Sequence, residues 1–171
     1  MILHAVQTFE GTPEDVFPFF ADAHNLERIT PGFLKFRILT PAPIPMCDGT
    51  TIDYALRING IPLKWRSEIL DWQPNDRFTD RQLRGPYSKW VHQHRFVARG
   101  DNTEMHDRIE YAVPGPGFIE RLIVRRQLRQ IFEYRQDVLA SIFRETAPAR
   151  LYIGAADPGI GATTLGDQST A

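Results

Sequence analysis

His92 and His94 stand two residues apart in WVHQHRF, the run from Trp90 to Phe96. Side chains of a strand alternate between faces, so Trp90, His92, His94 and Phe96 point the same way. A face anchored by Trp and Phe is a buried face, and imidazoles there can serve several chemistries. Backed by carboxylates they can move protons, with Asp fixing the imidazole tautomer and supporting the imidazolium. They can also orient a bound molecule, ligate a metal, or stand as satisfied core residues, since an unpaired buried polar group costs about 1–3 kcal/mol.

The hairpins around this run supply the carboxylates. Asn59-Gly60 is a type I′ turn signal and pairs Leu56 with Leu63, Tyr54 with Trp65 and, on the other face, Asp53 with Arg66. A loop at Gln73 to Asp76 then puts Trp65, Ser67, Ile69 and Asp71 on one face with Phe78, Asp80, Gln82 and Arg84, while Glu68 meets Arg81 on the other. A Gly85-Pro86-Tyr87 loop brings Gln82 opposite Trp90 and Asp80 opposite His92. The next hairpin sets Phe96 opposite Met105, His94 opposite Asp107, His92 opposite Ile109 and Trp90 opposite Tyr111. Two Asp and His pairs, Asp80 with His92 and Asp107 with His94, are therefore expected on a concave face lined by Tyr54, Trp65, Trp90, Phe96 and Tyr111.

The metal reading is weak on its ligand set. In the cupin pattern a Glu falls five residues after the second His, and Arg99 occupies that place; no Cys lies near, and the two Asp suit ring orientation better. No metal and no cofactor is expected. Covalent catalysis is disfavoured as well, because neither Ser67 nor Cys47 has an activating partner in the pattern. The opposite face, with Asp53, Arg66, Glu68, Arg81, Arg95, Glu104 and Arg108, alternates both signs and reads as a solvated surface rather than a nucleic-acid stripe.

The elements that must hold these residues follow from period and punctuation. After a first strand near Ile2 to Glu10, Thr12 as N-cap with Pro13, Glu14 and Asp15 starts a short helix interrupted by Pro18, and Asp22 caps a second one. Strands then run from Phe33 to Val113 as a six-stranded antiparallel meander. From Phe118 to about Glu145 apolar residues recur three or four apart, including Leu128, Ile131, Phe132 and Leu139, with Arg125, Arg126, Arg129 and Arg135 between them, so one long amphipathic helix is predicted. Beyond Ala147 the chain is rich in Gly, Ala and Thr without sustained period, and 147–171 is expected to be a disordered tail.

The chain has 171 residues, enough for one domain that buries roughly two-thirds of its unfolded surface. Its 20 basic and 21 acidic side chains leave a formal charge of -1, which gives no global attraction to nucleic acid or anionic lipid. The lone Cys47 cannot close an intramolecular disulfide and MILHAVQTFEG lacks the layout of a signal peptide, so a cytoplasmic setting is expected. No apolar run reaches the length of about 20 residues that spans a bilayer.

The layout, with FTDRQLRGPYSKWVHQHRF, the following DRIEYAVPGPG and the helix IERLIVRRQLRQIFEYR, resembles the START-like helix-grip superfamily, above all its bacterial ligand-binding SRPBCC branch, polyketide cyclase/dehydrase-like. The resemblance covers about residues 1–146 as a single domain. It implies an α+β helix-grip fold, a curved antiparallel sheet wrapped around a long C-terminal helix, with a hydrophobic cavity between them that holds a lipid, polyketide or aromatic compound. The ligand-contacting set expected from the registers is Tyr54, Trp65, Gln82, Trp90, His92, His94, Phe96, Asp107 and Tyr111, with Arg84 at the rim. The alternative is a cyclase or dehydratase in which His92 or His94 moves protons with Asp80 or Asp107. No family motif transfers a catalytic role to any of these four, and whether the chain is an enzyme stays open.

Overall fold

A computed structural model describes residues 1–156. The element order is β1 (Ile2–Glu10), α1 (Pro13–Ala21), α2 (Asn25–Arg28), a single 3₁₀ turn (Gly32–Leu34), β2 (Arg37–Ile38), β3 (Thr51–Ile58), β4 (Ile61–Gln73), β5 (Arg77–Arg84), β6 (Lys89–Arg99) and β7 (Asn102–Ala112). A continuous helical stretch follows, from α3 (Gly117–Ile119) through a π-helical segment (Glu120–Val124) into α4 (Arg125–Ile142), and β8 (Glu145–Gly154) closes the order. The eight strands form one curved antiparallel sheet in the order β2-β3-β4-β5-β6-β7-β1-β8, so the six-stranded meander is present as expected.

Turn chemistry fixes the registers. Asn59 and Gly60 both have positive φ, +50° and +81°, as a type I′ turn demands, and Gly tolerates this without a Cβ clash. Leu56 therefore faces Leu63, Tyr54 faces Trp65, and Asp53 faces Arg66 with a 2.8 Å ion pair on the solvent side. In the next hairpin Glu68 meets Arg81 and Ile69 meets Asp80. Near its turn the expected alternation breaks: Asp71 has φ +53° and a register shift lies between Leu70 and Gln73. The bulge turns Asp71 outward onto Arg77 and lets Trp72 pack inward on Phe17 and Phe78. A second shift, between Arg66 and Ser67, sets Arg84 opposite Arg66 beside Asp53, on the outer face rather than at the cavity rim.

The helix packs its apolar stripe across the concave side of the sheet. Leu128, Phe132 and Leu139 are buried, Leu139 completely, and such burial is worth about 1.5–3 kcal/mol per large side chain. One apolar cluster joins Phe9, Phe17, Phe20, Phe78 and Phe96 under α1, and a second joins Leu3, Ile109, Tyr111, Leu128 and Phe132 near the start of α4. At the head of α1, the Thr12 backbone N–H and hydroxyl both donate to Asp15 Oδ2 at 2.9 Å.

The expectation of a tail from residue 147 is corrected by β8. Its residues 145–154 pair with β1, Leu3 opposite Ile153 and Ala5 opposite Leu151, with one register shift where Pro148 interrupts the ladder and a second at Thr146. Without β8 the outer edge of β1 would leave backbone N–H and C=O groups unpaired. Five of the ten residues of β8 are exposed, and its hydrophobic alternation is confined to Leu151 and Ile153, which pack in the cluster with Leu3. The rest of the expected tail, from residue 157, lies outside the described residues.

Candidate functional site

The concave face of β3 to β6, the inner side of α4 and the α1–α2 corner enclose a cavity of about 190 Å³. Its walls are mainly apolar: Tyr54, Trp65, Ile69 and Trp90 from the sheet, Leu128, Ile131 and Phe132 from the helix, and Phe20, Leu26 and Ile29 from the corner. Polar groups on the wall are few, namely Ser67, Asp80, His92, His94 and Arg135, with Asp22, Asn25, Thr30 and Gln127 on the helix and corner side. Ligand pockets generally have this composition, an apolar lining with a small number of placed polar groups.

His92, His94, Asp107 and Arg135 meet at the centre. Strand alternation carries His92 and His94 inward from β6, and the β6–β7 register sets His94 opposite Asp107. All four are nearly closed to solvent, with 8%, 6%, 5% and 5% exposure, so their charges must be matched internally. Arg135 reaches across from α4, with Nε donating to Asp107 Oδ2 at 3.0 Å and a terminal nitrogen to Oδ1 at 3.4 Å. His92 Nε2 lies 3.0 Å from Asp107 Oδ1 and His94 Nδ1 lies 2.7 Å from the same oxygen. The second contact is poorly aligned as a hydrogen bond despite its length. The two imidazole centroids are 3.8 Å apart, and Phe78 stacks on His94 at 4.2 Å.

These contacts set the protonation states. Burial alone would push the Asp107 carboxyl up, but Arg135 and the two histidines outweigh it and hold the group well below the usual carboxylate range. An ionised carboxylate only accepts, so His92 donates from Nε2. Burial pushes His94 down to about 3, helped by neighbouring His92, and the Asp107 charge only partly offsets this. His94 is therefore a neutral imidazole over the physiological range and a poor proton acceptor. Donor atoms of His92, His94 and Asp107 all fall within 4.8 Å of one another, a spacing that could suit a metal ion. The two-point contact from Arg135 already neutralises the carboxylate, and a cation would have to displace it.

Asp80 stands apart from this group. It faces His92 in register, as expected, yet its Oδ1 is closed to solvent and has no hydrogen-bond partner among the described residues. Burial pushes its carboxyl up from the ordinary value, against smaller opposing effects of Ser67 and His92. Ser67 itself accepts from the Trp65 indole Nε1 at 3.0 Å. Burial likewise raises the Tyr54 phenol well above its usual range.

Of the residues expected from the sequence, Tyr54, Trp65, Asp80, Trp90, His92 and His94 come together on the cavity wall. Four do not line it. Gln82 spans the β5–β6 turn, donating to the Tyr87 carbonyl at 2.7 Å and accepting from its N–H at 3.3 Å. Phe96 packs against Phe17 and Phe20 in the core, with centroids at 5.1 and 5.2 Å. Tyr111 is buried and donates its hydroxyl to Glu120 at 2.8 Å, tying the π-helical segment to β7. Asp107 sits behind the two imidazoles. Sequence reasoning left Arg135 among the polar residues of the helix. Its position, three residues after Phe132 and four before Leu139, is the signal that places it on the buried stripe.

Comparison with known proteins agrees with this geometry. A family model described as "Polyketide cyclase / dehydrase and lipid transport" matches residues 2–143. A search of curated protein sequences found no match. Among solved structures, a protein from Thermus thermophilus superimposes with a TM-score of 0.66 at 16% identity, covering 82% of this chain and 95% of that one. A START superfamily protein from Mycobacterium smegmatis gives 0.61 at 14% identity, covering 82% and 95%. Ginseng major latex-like protein 151 from Panax ginseng gives 0.61 at 12% identity, covering 84% and 97%. At such identities the likeness is one of fold. With 2–143 matched by the family model, and a curved sheet gripping one long helix as in the START-like fold, the chain belongs to the polyketide cyclase / dehydrase and lipid transport family.

Proposed function

We propose that this protein binds a hydrophobic small molecule, a lipid, polyketide or aromatic compound, in the cavity between the sheet and α4. The observation that supports this most directly is the lining itself. Aromatic and aliphatic side chains dominate a cavity of about 190 Å³, and Asp80, Ser67, His92 and His94 are set among them. Hydrophobic transfer drives such binding, while the few polar groups select orientation. The exposed, unpaired Cys47 fits the reducing cytoplasmic setting expected from the sequence. Cross-strand ion pairs on the convex face, such as Asp53 with Arg66 and Lys89 with Glu110, fit a surface that does not seek nucleic acid.

Native mass spectrometry of the chain purified from its source, followed by extraction under denaturing conditions, tests the proposal. A released apolar compound is expected. Substitution Ile131→Trp, which fills the cavity from α4, is expected to abolish its retention while the fold persists by circular dichroism. If neither a co-purifying compound nor binding of apolar probes is found, the reading fails.

A second reading, a cyclase or dehydratase, draws on one observation: His92 and His94 both reach the cavity wall with a carboxylate behind them. Burial pushes the His94 pKa down to about 3 and makes it a weak base, which favours His92 for that role with Asp107 orienting it. Under this reading His92→Ala retains the compound but ends its conversion. Under the binder reading His92→Ala loses affinity, and neither it nor the parent chain forms a product.

A further inference from the structure

Asp80 is a buried acid to which the Asp107 network assigns no role. It lines the cavity, and its Oδ1 has no hydrogen-bond partner among the described residues. Leaving such a group unsatisfied is costly, so a structure that retains it in a ligand cavity calls for an explanation. Its neighbours are polar by design of the register. Tyr54 faces Trp65 and Asp80 faces Ile69, which sets Ser67 on β4 diagonal to both. All three lie on the cavity wall.

We propose that Asp80, with Ser67 and Tyr54 beside it, forms an oxygen-recognition site for a neutral ligand bearing a carbonyl or hydroxyl group on an apolar ring or chain. This rests on the cavity reading above and names what the bound compound must present. Three observations narrow the class. Arg135 is the one Lys or Arg among the described lining residues, and its guanidinium is engaged by Asp107, so an anionic headgroup finds no free cation on the wall. Burial on the cavity wall pushes the Asp80 carboxyl up and favours its neutral form, which has a proton to donate. A neutral acid donates through one oxygen and accepts through the other, a match for a carbonyl or a hydroxyl and a poor match for a hydrocarbon.

Calorimetric titration of the full chain with three matched probes, 2-acetylnaphthalene, 2-ethylnaphthalene and the cationic 2-(aminomethyl)naphthalene, tests this. The ketone is expected to bind about five- to tenfold tighter than the ethyl isostere, the usual worth of one hydrogen bond. Asp80→Asn, which keeps a donor of the same shape, should retain most of that preference. Asp80→Leu should erase it while binding the ethyl probe as well as the unsubstituted chain does, or better, and this retained binding also shows that the variant is folded. Equal affinity for ketone and ethyl probe, or a preference that survives Asp80→Leu, would overturn the proposal while leaving the cavity reading intact. Tightest binding by the amine, lost in Asp80→Asn, would also overturn it, in favour of an ionised Asp80. Failure of all three probes to bind would instead sink the cavity reading, and this proposal with it.

Discussion

Arg135 on α4 and Asp107 on β7 form a buried two-point ion pair, 3.0 Å at its shorter contact, that joins the helix to the centre of the sheet. Such a pair offers little net stability against an apolar replacement, but losing one partner strands the other charge. Arg135→Ala is accordingly expected to destabilise the fold by about 3–5 kcal/mol in urea denaturation. The double variant Arg135→Met with Asp107→Leu should lie much closer to the parent than either single change does. If the losses simply add, the two residues are not coupled as the geometry states.

Stability should decline as pH falls below neutrality, and His94 is one cause. Its pKa drops from 6.5 to about 3 on folding, so between those values the unfolded chain takes a proton that the native state refuses. Its contribution is whole above 6.5 and is lost toward 3, at no more than about 1.4 kcal/mol per pH unit. His106, also shifted down by burial, acts in the same direction, whereas the contribution of Asp107 is whole above 3.8 and is lost only at more acid pH. Asp80 works oppositely, since its raised pKa costs stability as pH rises from 3.8 upward. Melting temperature measured from pH 7 to pH 4 should therefore fall, and fall less steeply in His94→Gln. An unchanged slope in that variant would contradict the buried neutral imidazole.

Leu139 has no exposed surface and stands where the helix stripe meets the phenylalanine cluster under α1. Leu139→Ala should cost about 2–5 kcal/mol by loss of burial and creation of a void. Exposed Leu122, on the π-helical segment, offers the contrast. Its alanine variant should change the denaturation midpoint little.

Removal of residues 145–171 would uncover the outer edge of β1. The shortened chain is expected to unfold at lower temperature and to self-associate on size-exclusion chromatography, because an unpaired edge strand invites pairing with another chain. Monomeric behaviour with an unchanged melting temperature would mean that β8 adds nothing to the sheet.

Much of this architecture could be read from local pattern. Asn59-Gly60 specifies its own turn, and from there the alternation of side chains carried the pairings Tyr54 with Trp65, Asp80 with His92 and His94 with Asp107 across five strands. The period of two is rigid, so a correct turn propagates a correct face until a bulge intervenes. Asp71 and Arg84 show where it stops: each lies beside a register shift that no composition rule announces. β8 was illegible for another reason, being a half-exposed edge strand whose formation depends on the edge of β1 beside it.

The sequence alone determined the fold class, the inward direction of both histidines and the presence of two carboxylates opposite them, because these follow from periods of two and 3.6 residues and from turn chemistry. Only the tertiary structure decided which carboxylate holds the imidazoles. Asp107 bonds His92 and lies close against His94, since α4 delivers Arg135 to its far oxygen and makes it the favoured site of negative charge. Among the described residues Asp80 has no hydrogen-bond partner at Oδ1 on the cavity wall, a difference set by the packing of the helix across the sheet and by nothing local to either aspartate.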